Sequence, residues 1–450
     1  MSTDTVPDSV AAALQPRVLL HLATAGSVDD GKSTLVGRLL ADSKSILADQ
    51  LADVERVSKA RGLGHVDLAL LTDGLRAERE QGITIDVAYR YFSTAERSYI
   101  LADCPGHVQY TRNTVTGSST ADVLVLLIDA RHGVLEQTRR HLAVAALLRV
   151  PQVIVAINKI DLVDFDQSVY DAISQDVRQV ATELGISSIV TIPTAALGGD
   201  NVVHVSANMP WYQGPSLLEL LDSLVPVNDD IEGFRFPVQL VLRPQSGAID
   251  PSYAEYRGYA GQVSAGRVRV GDEVVVLPKG LHSTVVGIDL AAEQLDEAVA
   301  GQSVSLRLAD EIDAPRGTLI SSAADAPKPV KNVDAMLCWV GEQPLKPGAR
   351  VLLKHGTTTV KAIVSELTAK LELETMSPAP SDTLELNDIG RVSIRLAGPV
   401  MAESYQKTRR GGAFVLVDPQ SGWTLAAGMV QGDEGFGGTF AAEPSDDWSF

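Results

Sequence analysis

The stretch Gly26-Ser27-Val28-Asp29-Asp30-Gly31-Lys32-Ser33-Thr34 has the spacing of a phosphate-binding loop, a glycine followed after four residues by Gly-Lys-Ser. The apolar run 18–25 before it predicts a buried strand, and the run 35–41 after it predicts the first turns of a helix. The motif binds phosphate only in that context, because free backbone N–H groups and the positive end of the helix dipole then face the ligand.

Each part of this loop has a predicted role. Gly26 and Gly31 let the backbone curl without a Cβ clash. Lys32 is expected to reach the β- and γ-phosphates of a nucleotide, and the Ser33 hydroxyl is expected to bind Mg²⁺. A glycine-rich turn without function would match so short a pattern too, but the flanking strand and helix argue against it. We therefore predict that residues 26–34 all contact nucleotide, and that Lys32 also acts in catalysis.

Composition limits the classes of protein to which the chain can belong. Its 450 residues suffice for roughly three domains, and a hydrophobic content of 45% with only 5% aromatic residues predicts aliphatic cores. The net charge of −19 argues against nucleic-acid binding by bulk attraction to phosphate. The two cysteines, Cys104 and Cys338, cannot define a disulfide framework, which predicts a cytoplasmic chain. We expect no signal peptide and no membrane span.

The hydrophobic pattern divides the chain into regions. Up to about residue 230, aliphatic runs alternate with amphipathic segments, which predicts a mainly parallel sheet with helices on both faces. After it, short β-rich runs recur between turn signals, a pattern typical of small β-barrels, and the Pro/Ala-rich stretch 323–329 predicts a linker. We predict five regions: a flexible segment 1–16, an α/β P-loop domain 17–230, β-barrels 231–326 and 327–433, and a flexible tail 434–450.

Within the first region, the pattern predicts individual elements. Besides the run before the phosphate loop, the predicted strands are 98–103, 123–130, 152–158 and 188–193. The predicted helices after the first are 108–121, 135–148, 167–184 and 215–224. Ligands bind at the carboxyl ends of strands in such folds, so polar motifs at these ends deserve chemical interpretation.

The motif Asp103-Cys104-Pro105-Gly106-His107 follows a predicted strand. Asp103 can hold Mg²⁺ through a water molecule, and Gly106 can offer its backbone N–H to a γ-phosphate. His107 can orient the attacking water. Taken alone, Asp103 is as well explained as a helix cap, and His107 as a surface histidine. Together with the phosphate loop, all five residues are predicted nucleotide contacts.

The motif Asn158-Lys159-Ile160-Asp161 lies at the end of the predicted strand 152–158. The Asp161 carboxylate can accept hydrogen bonds from guanine N1–H and from its exocyclic amine, a donor pair that adenine lacks. The Lys159 stem can lie over the nucleoside, and Asn158 can tie this loop to the phosphate loop. A polar turn is the plain alternative for four residues, but their place after the other two motifs indicates a GTP site.

The segment Gly82-Ile83-Thr84-Ile85 lies between the loop helix and the strand that ends at Asp103. Thr84 can reach Mg²⁺ and a γ-phosphate when the segment is ordered, as in the order–disorder switches of nucleotide-hydrolysing regulators. The charged run 76–80 is also consistent with a plain solvated loop. The predicted catalytic residues are therefore His107, Lys32 and Thr84, and the predicted Mg²⁺ ligands are Ser33, Thr84 and Asp103.

With these motifs, the chain resembles the translation-factor-type GTPases, a G domain followed by two β-barrels, from about Val18 to Val430. It departs from elongation factor Tu at Ser27 and Asp30, where elongation factors carry histidines. Several stretches without derived chemistry are similar to the large GTPase subunit of sulfate adenylyltransferase (ATP sulfurylase): 73–90, 199–202, 211–215, 257–261, 342–345 and 353–355.

This resemblance implies a heteromeric enzyme that uses GTP and Mg²⁺. A separate small subunit joins ATP and sulfate to give adenylyl sulfate and pyrophosphate, an uphill step that the large subunit couples to GTP hydrolysis. The resemblance also implies that Ala195-Ala196-Leu197 contacts the guanine oxygen through a backbone N–H, although the family usually has serine first. Some members carry a C-terminal adenylyl-sulfate kinase, which we do not expect here because no second phosphate loop is visible.

Two other functions fit part of the pattern. The chain could carry aminoacyl-tRNA on its barrels, as elongation factor Tu does, or act as a regulatory switch with negligible turnover. The charge of −19 and Asp30 in the loop favour the enzyme subunit over the tRNA carrier. His107, in the place of a water-positioning residue, argues against the switch.

Overall fold

The computed structural model describes residues 19–43, 46, 48–60, 66–71, 86–107, 110–225, 233–244, 247, 254–291, 293–373, 375 and 377–432. The chain forms two compact units, which divide between residues 227 and 228. Several sequence predictions fall outside the described residues: the flexible ends 1–16 and 434–450, the charged run 76–80, Thr84, and the boundary at 230.

The first unit is built on a six-stranded sheet of order β2-β3-β1-β4-β5-β6. Its strands are β1 (Leu19–Gly26), β2 (Ala88–Ser93), β3 (Ser98–Asp103), β4 (Val123–Asp129), β5 (Gln152–Asn158) and β6 (Ile189–Pro193). All neighbours are parallel except β2, which runs antiparallel to β3 at the edge. The predicted, mainly parallel sheet is confirmed.

Helices cover this sheet. They are α1 (Lys32–Asp42), α2 (Ala48–Ala60), α3 (Thr111–Ser118), α4 (Glu136–Leu147), α5 (Gln167–Glu183) and α6 (Leu217–Ser223), with 3-10 turns at Leu68–Leu71 and Ile160–Val163. Local chemistry sets where helices begin: Asp166 caps α5 through the Ser168 N–H, and Ser216 starts α6 with a capping box. Among the described helices, none is long and apolar enough to span a bilayer.

The register of the sheet brings the polar strand ends together. Every residue of the central strand β4 is buried, as expected for a parallel strand covered on both faces. Thr24 of β1 pairs with Asp103 of β3, and Asp129 of β4 pairs with Asn158 of β5. Because parallel strands end at one edge, the phosphate loop and the two motifs that follow β3 and β5 meet there.

The second unit begins with a closed antiparallel barrel. Its strands are β7 (Arg235–Leu242), β8 (Gly258–Gln262), β9 (Arg267–Arg269), β10 (Glu273–Leu277), β11 (Leu281–Leu290), β12 (Glu293–Leu295), β13 (Glu297–Val299), β14 (Ser303–Leu308) and β15 (Leu319–Ser322). The order is β10-β15-β7-β8-β14-β11-β12, closed by pairing of β10 with β11, while β9 and β13 form a separate ribbon. Phe236, Tyr259, Ile288 and Leu306 fill the interior.

A second barrel follows. Its strands are β16 (Val330–Trp339), β17 (Arg350–His355), β18 (Thr358–Glu372), β19 (Ser377–Ala379), β20 (Ile389–Val400), β21 (Ala413–Val417) and β22 (Thr424–Val430), with a one-turn helix α7 (Arg409–Gly412). The order β17-β21-β22-β16-β20-β18-β19 closes through β17 and β18. The predicted architecture of a P-loop domain and two β-barrels is confirmed.

The stretch 323–329 between the barrels is tied to the first barrel through Asp325, and the same arginine of that barrel also reaches the second barrel. Arg235 at the start of β7 is buried, and its guanidinium pairs with Asp325 of this stretch at 3.1 Å and with Glu403 of the second barrel at 3.0 Å. Thr358 of the second barrel donates a hydrogen bond to the Gly317 carbonyl of the first. These contacts join the two barrels into one unit.

Candidate functional site

The phosphate loop joins β1 to α1 through backbone conformations that favour glycine. Gly26 has φ +147° and Gly31 has φ +93°, and a Cβ on Gly31 would lie 2.5 Å from Asn158 Nδ2. Asp29 also takes a positive φ of 67°, which aspartate tolerates better than most residues. The two predicted glycines are therefore required by the conformation and by the closeness of Asn158.

Lys32 places a buried cation at the mouth of the loop. Its side chain is almost fully covered, and Nζ donates hydrogen bonds to the carbonyls of Gly26 at 2.8 Å and Ser27 at 2.7 Å. Burial lowers the pKa of this ammonium, while the carboxylates of Asp30 and Asp103 act to raise it. The positive charge is thus held by backbone carbonyls and attracted by carboxylates with which it makes no ion pair.

Gly106 brings the loop after β3 directly against the phosphate loop. A Cβ at this position would lie 2.3 Å from Lys32 Nζ and 2.5 Å from the Gly26 carbonyl oxygen, so only glycine fits. The next residue, His107, is exposed, and its carbonyl accepts a hydrogen bond from the Tyr110 N–H at 2.9 Å. The Gly106 backbone and the Lys32 ammonium therefore face the same small space.

The predicted Mg²⁺ ligands of the described region supply oxygen donors of the right kind. Asp103 is buried at the end of β3 and accepts a hydrogen bond from Thr24 Oγ1 at 2.9 Å, which orients the carboxylate. Ser33 lies in the first turn of α1. A carboxylate and a hydroxyl beside a phosphate site suit a hard cation such as Mg²⁺. The third predicted ligand, Thr84, lies outside the described residues.

Two members of the 103–107 motif have packing contacts. The buried Cys104 thiol lies against Gly117 of α3, where a Cβ would be 2.4 Å from Sγ, and burial raises the pKa of the thiol. The Pro105 carbonyl accepts a hydrogen bond from Thr114 Oγ1 at 3.3 Å. These contacts fix the backbone that presents Gly106 and His107.

Asn158 ties three loops together. Its Nδ2 donates to the Asp30 carbonyl of the phosphate loop at 2.8 Å. Its Oδ1 accepts from the Ala196 N–H at 3.0 Å and from Thr194 Oγ1 at 3.3 Å. The link from this motif to the phosphate loop is present as predicted, and the bond to Ala196 extends it to the loop 195–197.

Asp129 at the end of β4 is a site residue that the sequence analysis missed. It is buried and accepts hydrogen bonds from Arg131 at 3.0 and 2.7 Å and from Lys159 Nζ at 3.0 Å. Burial alone would raise the pKa of this carboxyl, but the Arg131 and Lys159 hydrogen bonds outweigh it and hold the pKa below its usual range. The sequence did offer a signal for Asp129, because an acidic residue ends the aliphatic run of β4, which lies between β1 and β5 in the sheet.

Lys159 shows what Asp129 supports. Its backbone has φ +60°, a strained value for a residue with a side chain, and its ammonium also hydrogen-bonds the Asp29 carbonyl. The side chain thus runs from its own loop to the phosphate loop, over the space between them. Asp129 anchors the charged end, which leaves the aliphatic stem to cover that space.

The base-reading candidate Asp161 lies in the 3-10 turn 160–163 and is half-buried. Among the described residues, none donates a hydrogen bond to its carboxylate. In the facing loop, Ala195 and Ala196 are buried and Leu197 is 45% exposed. Arg38 of α1, also missed by the sequence analysis, donates from Nε to the Ala196 carbonyl at 3.2 Å and from Nη2 to the Leu197 carbonyl.

Two further buried titratable groups adjoin the phosphate loop. Asp30 accepts a hydrogen bond from the Ser27 N–H at 2.6 Å, and burial raises the pKa of its carboxyl. His141 of α4 is fully buried, its Nε2 lies 3.2 Å from Gln137 Nε2, and burial lowers the pKa of its imidazole to about 3. The first braces the loop from within, and the second is neutral at pH 7.

Comparison with known proteins identifies the family. The model of the elongation factor Tu GTP binding domain matches residues 18–227, and that of the GTP-eEF1A C-terminal domain-like family matches 332–431. Among solved structures, sup35 complexed with GMPPNP is 25% identical, with 94% of this chain and 96% of that chain covered and a TM-score of 0.41.

Two curated relatives are much more similar. The bifunctional enzyme CysN/CysC of Mycobacterium tuberculosis is 48% identical over 418 residues, which are 92% of this chain and 67% of that protein. Sulfate adenylyltransferase subunit 1 of Saccharophagus degradans is 46% identical over 426 residues, 94% of this chain and 89% of that protein. This chain belongs to the sulfate adenylyltransferase subunit 1 family.

Proposed function

We propose that this chain is the GTP-hydrolysing subunit of a heteromeric sulfate adenylyltransferase, which couples GTP hydrolysis to formation of adenylyl sulfate and pyrophosphate from ATP and sulfate. The observation that carries the proposal is the meeting of three motifs at one sheet edge, where Asn158 bonds to both the phosphate loop and the loop 195–197. A family named for sulfate adenylyltransferase, in a chain with this site, supports the assignment.

Binding of the triphosphate follows from the geometry of the loop. Lys32 donates hydrogen bonds to the carbonyls of Gly26 and Ser27. Its ammonium can redirect these hydrogen bonds to phosphate oxygens, which are stronger acceptors. The helix dipole of α1 adds attraction for the anion. Ser33, Asp103 and Thr84 are assigned to Mg²⁺, which when bound would neutralise charge on the phosphates.

Guanine selection is assigned to the other side of the site. Asp161 has a carboxylate without a hydrogen-bond donor among the described residues, and guanine N1–H and N2–H match it. Asn158 and Lys159 position the base-reading turn against the phosphate loop, the latter with its ammonium fixed by Asp129 at 3.0 Å. ATP presents no matching donor pair, so we assign this site to GTP.

Hydrolysis is assigned to His107, Lys32 and Thr84. His107 follows Gly106, the glycine that lies against Lys32, and its side chain is exposed, so it can hold a water next to the terminal phosphate. Interactions of this kind act in the transition state and leave nucleotide affinity unchanged. Lys32 stabilises the charge that develops on the phosphate oxygens.

The adenylyl transfer is assigned to a separate small subunit. The single phosphate loop of this chain is paired with a guanine-reading motif, whereas the transfer requires ATP. Formation of a phosphate–sulfate anhydride needs an energy input, and a GTP switch transmits energy only to what it touches. We place the coupling surface near Thr84 and His107, in a cytoplasmic complex that needs neither membrane nor nucleic acid.

The test is reconstitution with the small subunit. Alone, the chain should hydrolyse GTP slowly and make no adenylyl sulfate from ATP and sulfate. With the small subunit, GTP turnover and adenylyl sulfate yield should rise together. His107→Ala is the matched control, because it should bind GTP normally yet lose turnover by about two orders of magnitude or more, and with it the extra yield. A yield indifferent to GTP hydrolysis would contradict the proposal.

A further inference from the structure

Arg38 reaches from the helix of the phosphate loop to the loop 195–197. Its Nε donates to the Ala196 carbonyl at 3.2 Å, and its Nη2 donates to the Leu197 carbonyl. The side chain is 22% exposed, so most of it is shielded from water. Hydrogen bonds from a guanidinium are stronger than neutral ones, and two parallel bonds fix direction as well as distance.

The backbone of Ala196 is consequently held on both sides of its Cα. Its N–H donates to Asn158 Oδ1 at 3.0 Å, and its carbonyl accepts from Arg38. The segment Ala195-Ala196-Leu197 has no polar side chain with which to brace itself, so its position depends on these outside groups. One comes from the base-reading motif and the other from the phosphate-loop helix.

We infer that Arg38 is a positioning residue for recognition of the oxygen at C6 of guanine. This inference rests on the proposed function and on the expectation, implied by the family resemblance, that the loop 195–197 offers a backbone N–H to that oxygen. By holding the Ala196 and Leu197 carbonyls, Arg38 sets the orientation of the two peptide units that contain them, and so of the Leu197 N–H that shares a peptide unit with the Ala196 carbonyl. It also connects the two halves of the site, because α1 begins at Lys32.

The turn that follows the loop 195–197 lies against Arg38. Gly199 has φ +88°, and a Cβ there would lie 3.6 Å from Arg38 Cδ, in van der Waals contact. The buried Asn201 has φ +55° and bonds to the Pro193 carbonyl at 2.9 Å and the Ser206 N–H at 2.7 Å, which closes the loop on itself. The stretch 199–202, which had no derived chemistry, thereby acquires a role in presenting the loop to Arg38.

The inference predicts a pattern across nucleotides. GTP and ITP both carry an oxygen at C6, whereas the triphosphate of 2-aminopurine riboside does not. Loss of Arg38 should therefore weaken the binding of GTP and ITP by about ten-fold, which is the lower end of the effect expected for charge-assisted hydrogen bonds at a partly exposed site. The affinity for the 2-aminopurine nucleotide should change by less than about two-fold.

The experiment measures dissociation constants of GTP, ITP, the 2-aminopurine nucleotide and ATP by calorimetry or fluorescence, for wild type and three variants. Arg38→Ala removes both donors. Arg38→Lys keeps the charge but can satisfy only one carbonyl well, and should recover part of the loss. Asp42→Ala is the control, because Asp42 pairs with Arg38 at 3.7 Å and its removal leaves both donors in place. It should behave as wild type.

Each outcome decides between readings. An equal loss for GTP, ITP and the 2-aminopurine nucleotide would mean that Arg38 merely supports α1, and no loss would mean that it does nothing for binding; both overturn the inference. If Arg38→Ala does not fold, as judged by thermal unfolding without nucleotide, the same pattern must appear in Arg38→Lys. A wild type that fails to prefer GTP over ATP would refute the proposed function instead.

Discussion

Two buried cations, one in each unit of the molecule, have opposite surroundings. Lys32 in the phosphate loop donates to two backbone carbonyls, and burial lowers the pKa of its ammonium. Arg235 in the barrel unit donates to Glu403, Asp325, Ser321 and the Phe234 carbonyl. Although burial lowers the pKa of Arg235, the two carboxylates outweigh it and raise the pKa. We infer that Arg235, whose charge is balanced by two carboxylates, stabilises the fold. Lys32 is bonded to neutral carbonyls, so its charge remains available to an anionic ligand.

Two carboxylates of the first unit repeat the contrast. Asp129 is buried and accepts hydrogen bonds from Arg131 and Lys159. Asp161, half-buried on the next loop, has no hydrogen-bond donor among the described residues. By the same reasoning, Asp129 holds the loops together, and the proposed base-reading role falls to Asp161.

The largest effect is expected when the barrel-unit cation is removed. Arg235→Met should lower the free energy of unfolding by about 3–5 kcal/mol, because the buried Glu403 loses its 3.0 Å ion pair and keeps only Lys407 at 3.7 Å, while the partly exposed Asp325 loses the guanidinium as well. GTP affinity should be unchanged. Urea unfolding and nucleotide binding measure the two quantities. Additional Asp325→Asn and Glu403→Gln changes should recover part of the stability, and a normal urea midpoint for Arg235→Met would contradict the contrast.

The matched change in the phosphate loop should affect function. Lys32→Ala should reduce GTP turnover by about 10²–10³-fold, as for the loss of one donor to a developing anionic charge. Stability without nucleotide should not fall, because Lys32 makes no ion pair with any described residue that its removal would break. Steady-state phosphate release and urea unfolding are the measurements. If Lys32→Ala instead loses stability in urea but hydrolyses GTP at the normal rate, the cation is structural.

Next in size is the change in base preference at Asp161. Asp161→Asn should weaken GTP binding by about 2–3 kcal/mol and favour xanthosine triphosphate, in which the donor at C2 is replaced by an acceptor. Stability should stay the same. Asp129→Asn, the control, should instead lower stability by breaking bonds to Arg131 and Lys159. Undiminished preference for GTP in Asp161→Asn would disprove the assignment.

The most gradual effect, small at any one pH step, concerns the buried His141. Its pKa falls to about 3 in the folded state, against an unfolded value of about 6.5. Below pH 6.5 the unfolded chain therefore binds the extra proton, and stability decreases as pH falls, by at most about 1.4 kcal/mol per pH unit. His141→Leu should flatten this slope between pH 6 and pH 4 in urea titrations. The exposed His204→Gln should not, and equal slopes in all three proteins would remove His141 as the cause.

Strands could be predicted from the sequence where a short run of residues has a clear hydrophobic pattern. The predicted ranges 98–103 and 152–158 coincide with β3 and β5, because buried parallel strands are continuous aliphatic runs that end in a polar residue. β2 escaped prediction because it lies at the sheet edge, with Tyr91 71% exposed. In the second barrel the sequence predicts a strand over 358–364, but β18 extends to Glu372, because two register shifts break its alternation.

The sequence by itself determined where the phosphate-loop motif and the polar strand ends lie, because the predicted roles of Gly26, Lys32, Asp103 and Asp161 depend on residue type and short-range spacing. The partners of the buried charges were decided only by the tertiary structure. Arg38 meets a carbonyl 158 residues away, and Arg235 meets a carboxylate 168 residues away. Electrostatic and hydrogen-bond energies depend on distance in space, and only the folded chain sets those distances.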